Sequence, residues 1–205
     1  MGPTLLAMQS PNTQCPLFLF IGPPRQGKTT ARKLFCELTG LRGASCSDVI
    51  YALLSQHKGV PEAELRAIEK EVLRNELIEF GDYLCGSVGK LEIVKTERSV
   101  REDLFRAPSA LVRVLFHTGC RVVDGVRRRL ELQETKDRME WLGIPVVVFW
   151  VERPGTEPVR DNTAVTAADA DIVILNDGSP ADLKTKLVQW IEANIAKPAP
   201  KEGGA

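Results

Sequence analysis

Gly22-Pro23-Pro24-Arg25-Gln26-Gly27-Lys28-Thr29 is the stretch that decides how this chain is read. It fits the spacing G-x-x-x-x-G-K-[ST], in which glycines let the backbone turn so tightly that its N–H groups converge on a phosphate. Before it, Leu17-Phe18-Leu19-Phe20-Ile21 is a continuous apolar run, as a strand buried on both faces requires. After it, Ala31, Leu34, Phe35 and Leu38 recur at helical spacing until Gly40, a C-cap residue. A helix starting at the loop adds about half a positive charge there. Lys28 supplies a mobile cation for the β- and γ-phosphates, and the Thr29 hydroxyl suits magnesium. Gly22, Arg25, Gln26, Gly27, Lys28, Thr29 and Thr30 are therefore expected to bind the phosphates of a nucleoside triphosphate.

Outward from the loop, strands and helices alternate. Residues 42–46 read as a short strand, 47–56 as a helix, and Pro61 stands where helices start. Leu65, Ile68, Val72, Leu73, Leu77 and Phe80 then form one apolar stripe, predicting a single long core-packing helix. Residues 86–107 are basic, with Arg98, Arg101 and Arg106, and read either as a mobile cover or as a solvated connection. Helices are expected over 108–118, 127–142 and 180–196, and strands over 120–123, 145–151 and 172–175. That alternation implies a parallel sheet covered on both sides, with ligands at the carboxyl ends of its strands. The loop, Asp124, Arg153 and Asn176 should lie along that one edge.

Length and composition narrow the function classes. The 205 residues suit one α/β domain, and 27 basic against 27 acidic residues leave no global field for nucleic acid or membrane. No apolar stretch reaches membrane-spanning length, and the first residues lack the charge and apolar core of a secretory signal. Five scattered cysteines without any C-x-x-C point to reduced thiols in a cytoplasm, a host's if the chain is viral. By composition, residues 1–14 and 197–205 are expected to be disordered. A homodimer stays open as its assembly.

The remaining candidates are charged. Asp124 follows Arg121-Val122-Val123 at a predicted strand end, as a magnesium-orienting acid, a helix cap or an acceptor-side residue. Arg127, Arg128 and Arg129 follow at a helix start, where the macrodipole disfavours cations, so something anionic must offset them. Arg127 is the expected phosphate ligand, its two neighbours a solvated face, and Glu131 a possible i,i+4 partner of Arg127. Arg74 reads equally as a phosphate clamp or a helix-surface charge. Arg153 opens a polar stretch over 156–166 with Arg160, Asp161 and Asn162, long enough to act as a lid. His57 and His117 are isolated and read as surface or structural. Without a histidine base, an acceptor that is already an anion fits best, because it needs positioning and charge neutralisation. A hydroxyl acceptor would need a carboxylate base, Asp48 or Asp124.

Taken together, the chain resembles the P-loop nucleoside monophosphate kinases, most closely the bacteriophage-type deoxynucleoside monophosphate kinases. The resemblance lies in residues 22–30, 74–82 and 122–131, and above all in Val151-Glu152-Arg153-Pro154-Gly155, Asp161-Asn162-Thr163 and the block 171–179 with the helix beyond. That last block is also similar to the C-terminal end of dephospho-coenzyme A kinases. The resemblance implies a P-loop NTPase three-layer α/β/α sandwich with a five-stranded parallel sheet, ATP with Mg2+, and reversible γ-phosphoryl transfer to a nucleoside or deoxynucleoside monophosphate. It casts Lys28 and Arg25 on the donor phosphates, Thr29 on magnesium with Asp124 beside it, and Arg153 as a lid-side charge. Asn176 to Ser179, including Gly178, would lie beside adenine. Arg74 and Arg127, with Asp48 and Asp124 near them, would hold the acceptor. The kinase domain then covers 15–196, with an acceptor-binding helical region over about 47–107 and a lid over about 152–168. Two other readings stay open: a P-loop kinase of another small molecule such as dephospho-coenzyme A, and an ATP-binding regulatory protein without turnover.

Overall fold

The computed structural model describes residues 15–68, 70–84, 108–155 and 164–195, apart from the side chains of 70 and 71. The expectations for 1–14, 197–205, the basic stretch 86–107 and the lid residues 156–163 lie outside them. Strand β1 (Leu17–Ile21) leads through the glycine loop into α1 (Lys28–Thr39), then β2 (Gly43–Ser45) and α2 (Cys46–Lys58). Helices α3 (Glu62–Ala67), α4 (Lys70–Leu84) and α5 (Ala110–His117) precede β3 (Val122–Asp124) and α6 (Arg129–Trp141). The chain closes with β4 (Val146–Glu152), a 3-10 turn (Ala167–Asp169), β5 (Ile172–Leu175) and α7 (Pro180–Asn194).

All neighbouring strands pair in parallel, in the order β2-β3-β1-β4-β5. The alternation of β1 divides the core between the two faces of the sheet. Leu17, Leu19 and Ile21 enter one cluster with residues of α2, α4, α5 and α6, while Phe18 and Phe20 enter another with α1 and α7. The second cluster is aromatic: Phe20 stacks on Phe149 with centroids 4.8 Å apart, and Phe18 meets Phe35 at 4.8 Å. Helices on both faces of a central parallel sheet are what the alternation implied; with this strand order and the glycine loop between β1 and α1 they make the three-layer α/β/α P-loop NTPase fold that the resemblance implied. Among the described residues, no helix is long and apolar enough to cross a membrane.

Two expectations about elements need correction. The stripe after Pro61 is not one helix, because Ile68 adopts an extended conformation (φ −69°, ψ 136°) and separates α3 from α4. Arg66 pulls α3 onto α2, pairing with Asp48 at 3.1 Å and lying over the Tyr51 ring at 4.6 Å. Leu73, Leu77 and Phe80 of α4 are buried, but Ile68 and Val72 are 40% and 71% exposed. The stripe therefore mixed residues of two differently anchored helices. The second correction is at α6, which starts at Arg129; its N-cap, Arg128, is extended (φ −110°, ψ 142°). Arg127 and Arg128 therefore stand in the turn before the helix.

Candidate functional site

The sheet delivers five strand ends to one edge. In register, Ser45 and Phe20 flank Asp124, and Glu152 pairs with Leu175, so the residues beyond each strand meet those of its neighbours there. The glycine loop carries positive φ at Gly22 (140°), Arg25 (64°) and Gly27 (93°). Arg25 is the one non-glycine residue with positive φ among those described, a conformation that costs a side-chain-bearing residue roughly 1–2 kcal/mol. Its side chain is exposed beside the loop. Lys28 folds back so that Nζ donates to the Pro23 carbonyl at 2.5 Å, which puts its ammonium inside the turn. The first turn of α1 contains no acidic residue, so nothing on that helix end competes with an anion. Thr29 and Thr30 are exposed in the same turn.

Gln26 anchors this loop to the rest of the edge, although it is only 2% exposed. Its side-chain oxygen accepts the Arg153 backbone N–H beyond β4, and its carbonyl accepts from Asn176 Nδ2 beyond β5 at 2.8 Å. The Arg153 Nε also donates to the Asn176 carbonyl, at 3.4 Å. A side chain at Gly27 would collide with Asn176 Nδ2, so glycine is required there for the close approach as well as for its φ. Gly22 lies against the Val151 backbone, and Gly178 against the Asp182 carboxylate of the α7 capping box. Asn176 is thus a clamp on the glycine loop, a task that sequence reasoning did not assign to it.

Asp124 ends β3 with 1% of its surface exposed, and neither carboxylate oxygen has a hydrogen-bond partner. It forms an ion pair with Arg32 of α1, whose Nε lies 3.5 Å from Oδ1 and whose side chain is 10% exposed. Sequence reasoning missed Arg32. The available signal was its spacing of four from Lys28, which stacks the two on one face of α1.

Gly125 (φ 98°) then turns the chain across the start of α2, where a Cβ would lie 3.2 Å from that of Cys46 and 3.3 Å from Ser45 Oγ. The three arginines beyond it are held in three different ways. Arg128 Nη2 pairs with Asp82 Oδ2 of α4 at 2.5 Å. Arg129 Nε pairs with Asp169 at 3.1 Å, and its Nη2 donates to Thr166 at 3.1 Å. Arg129 lies on the solvated face that its sequence suggested, with its side chain 53% exposed, whereas Arg128 is half-buried against α4. The Arg127 guanidinium is exposed and makes no ion pair among the described residues. Glu131, 5% exposed, does not pair with that guanidinium; its Oε2 accepts the Arg127 backbone N–H at 3.0 Å. Burial pushes the Glu131 carboxyl up to about 7, against the opposing pull of the Arg127 and Arg128 amides and charges. The Arg127 carbonyl in turn accepts from Val165, and Arg128 bridges antiparallel to Ala164.

Asp48 has both oxygens engaged locally: Oδ2 accepts the Ser45 N–H at 2.8 Å in the α2 capping box, and Oδ1 takes Arg66 at 3.1 Å. It is therefore a capping residue here, which leaves Asp124, of the two carboxylates weighed, at the strand edge. Arg74 is half-buried on α4. His57 and His117 are both exposed. Among the described residues no cluster of three or more His, Cys, Asp or Glu could hold a metal by itself.

No protein-family model matches this chain, and no curated protein matches it. Solved structures with similarity include a sugar kinase from Janibacter sp. HTCC2649, at 13% identity and TM-score 0.41 over 89% of this chain and 98% of that one. Another is the APS kinase of Mycobacterium tuberculosis in complex with AMPPNP and APS, at 10% identity and TM-score 0.47 over 88% of this chain and 99% of that one. Likenesses this remote leave the reaction to be read from the residues of this chain.

Proposed function

We propose that this protein is an ATP-dependent phosphotransferase, and that its acceptor is a nucleoside or deoxynucleoside monophosphate. The observation that supports the donor half most directly is the phosphate loop, with Lys28 folded into the turn and the loop tied by Gln26 to Arg153 and Asn176. A loop held from three strand ends presents its amides without reorganisation, the condition under which fixed dipoles stabilise developing phosphate charge best. Lys28 and Arg25 then neutralise the donor phosphates, and Arg153 stands where the 152–168 segment leaves the sheet.

The orphaned, buried Asp124 oxygens and the exposed Thr29 hydroxyl fit a magnesium ion shared with phosphates. When bound, that ion would polarise the transferred group and shield its charge. Thr29 and Asp124 would hold it, the acid through water where the ion keeps its hydration.

For the acceptor half, the support is an exposed Arg127 on a turn pinned at Arg128 and Arg129, with exposed histidines only. A phosphate nucleophile needs cations and positioning and no base. A second reading has an observation of its own: a buried acid whose oxygens accept no hydrogen bond, with Arg32 paired to one of them, suits a base for a hydroxyl acceptor such as that of dephospho-coenzyme A.

The test is ADP release from ATP and magnesium with each ribo- and deoxyribonucleoside monophosphate, and with dephospho-coenzyme A. Monophosphate-dependent ADP is the expected result. Release with the hydroxyl acceptor alone, abolished in Asp124→Asn, would move the function to the second reading. ATP binding without release for any acceptor would leave a regulatory nucleotide-binding protein.

A further inference from the structure

Glu131 is a costly residue for what a helix start requires. A carboxylate at the third position of α6 can cap the preceding amides, but this one is 5% exposed and its second oxygen has no hydrogen-bond partner. The group it does serve is the Arg127 amide, which donates to Oε2 at 3.0 Å. The same short turn is held from outside by Asp82 on Arg128 and by Val165 on the Arg127 carbonyl, at 2.5 and 2.9 Å. The Arg127 amide and carbonyl and the Arg128 side chain are thus held, while Arg127 itself is exposed.

We infer that Glu131 is a positioning residue for Arg127, holding from below the backbone from which that guanidinium reaches an acceptor phosphate. The inference rests on the reading of Arg127 as an acceptor ligand. Glu131 touches neither substrate nor reacting atoms; it acts through the Arg127 amide. A guanidinium extends several bonds from its backbone, so a small rotation of the turn displaces it by an ångström or more, enough to lose roughly a hundredfold in rate.

The experiment compares Glu131→Met, which keeps the length but has no strong acceptor, with Glu131→Gln, which keeps one acceptor oxygen. Arg127→Ala and the double variant Glu131→Met/Arg127→Ala complete the set, assayed with the best monophosphate of the panel. Glu131→Met should raise the acceptor KM or lower kcat by roughly tenfold to a hundredfold, with the KM for ATP within about twofold. Glu131→Gln should restore most of that loss. The double variant should be no worse than Arg127→Ala alone, because the two residues act as one unit. Additive losses, an equal rise in the KM for ATP, or failure of glutamine to rescue would overturn the assignment. If Arg127→Ala leaves the acceptor kinetics unchanged, the acceptor reading falls and the positioning role falls with it. Amide hydrogen exchange on the unliganded protein separates these failures. Faster exchange at Arg127 in Glu131→Met shows the clamp at work, and unchanged exchange shows that Glu131 holds nothing.

Discussion

On the proposed reading, Lys28, folded into the turn with Nζ on the Pro23 carbonyl, places a charge beside the loop's amides, so its removal should be felt in the transition state more than in binding. Lys28→Ala should reduce phosphoryl transfer by about a hundredfold or more, measured as kcat on the acceptor that the panel identifies; near-normal turnover would remove the loop from the reaction. Asn176→Ala leaves the buried Gln26 carbonyl without its 2.8 Å donor, a loss of about 1–3 kcal/mol. Urea unfolding should register it, together with weaker AMPPNP binding, and an unchanged midpoint would deny the clamp. Glu131 sets a pH dependence whose sign comes from its upward shift, from 4.5 to about 7. Between those values the folded state retains a proton that the unfolded state has released, so stability falls as pH rises through this window. The penalty is complete above pH 7 and on the order of 3 kcal/mol at most. Glu131→Gln should therefore be more stable than the parent at pH 8 and nearly equal to it at pH 4. The opposite order in thermal melts would mean that the carboxylate is stabilised where it lies.

The turns between elements carry as much of the site as the elements do. Gly125 combines φ 98° with backbone and side-chain neighbours 3.2–3.3 Å from any added Cβ, so Gly125→Ala should cost about 1–3 kcal/mol and disturb Arg127 more than Lys28. A denaturation midpoint equal to the parent's would show that the turn has room to give. Strands β1, β4 and β5 and helices α1 and α7 were legible in the chain because their apolar periods are local and their caps are glycines or Ser179-type boxes. The break at Ile68 was not, since it arises from Arg66 reaching Asp48 and Tyr51 on another helix. The start of α6 was misplaced by two residues for a similar reason: Arg127 and Arg128 pair with Val165 and Ala164, a contact that no periodicity records. Within the site, the loop and the strand-end position of Asp124 were readable from spacing. The Gln26 contacts span 127 and 150 residues, and the partners of Arg32 and Glu131 are likewise set only by the fold.

At the scale of the whole molecule, a parallel sheet with β1 at its centre gathers five strand ends on one edge, and on the proposed reading the charged residues placed there would serve phosphate chemistry. The core beneath is divided by the alternation of β1, so Phe20→Ala should cost about 3–5 kcal/mol without touching the loop's residues. A urea midpoint near the parent's would mean that the aromatic cluster does not bear the loop. Net charge of zero leaves recognition to this edge rather than to any global field. The central claim is transfer of a phosphoryl group from ATP to a monophosphate. The most direct measurement is chromatography of products formed from γ-labelled ATP with the monophosphate panel, in the parent and in Lys28→Ala. Label in at least one nucleoside diphosphate, lost in the variant, is the predicted result; label in inorganic phosphate alone, or in no acceptor while ATP still binds, would contradict it.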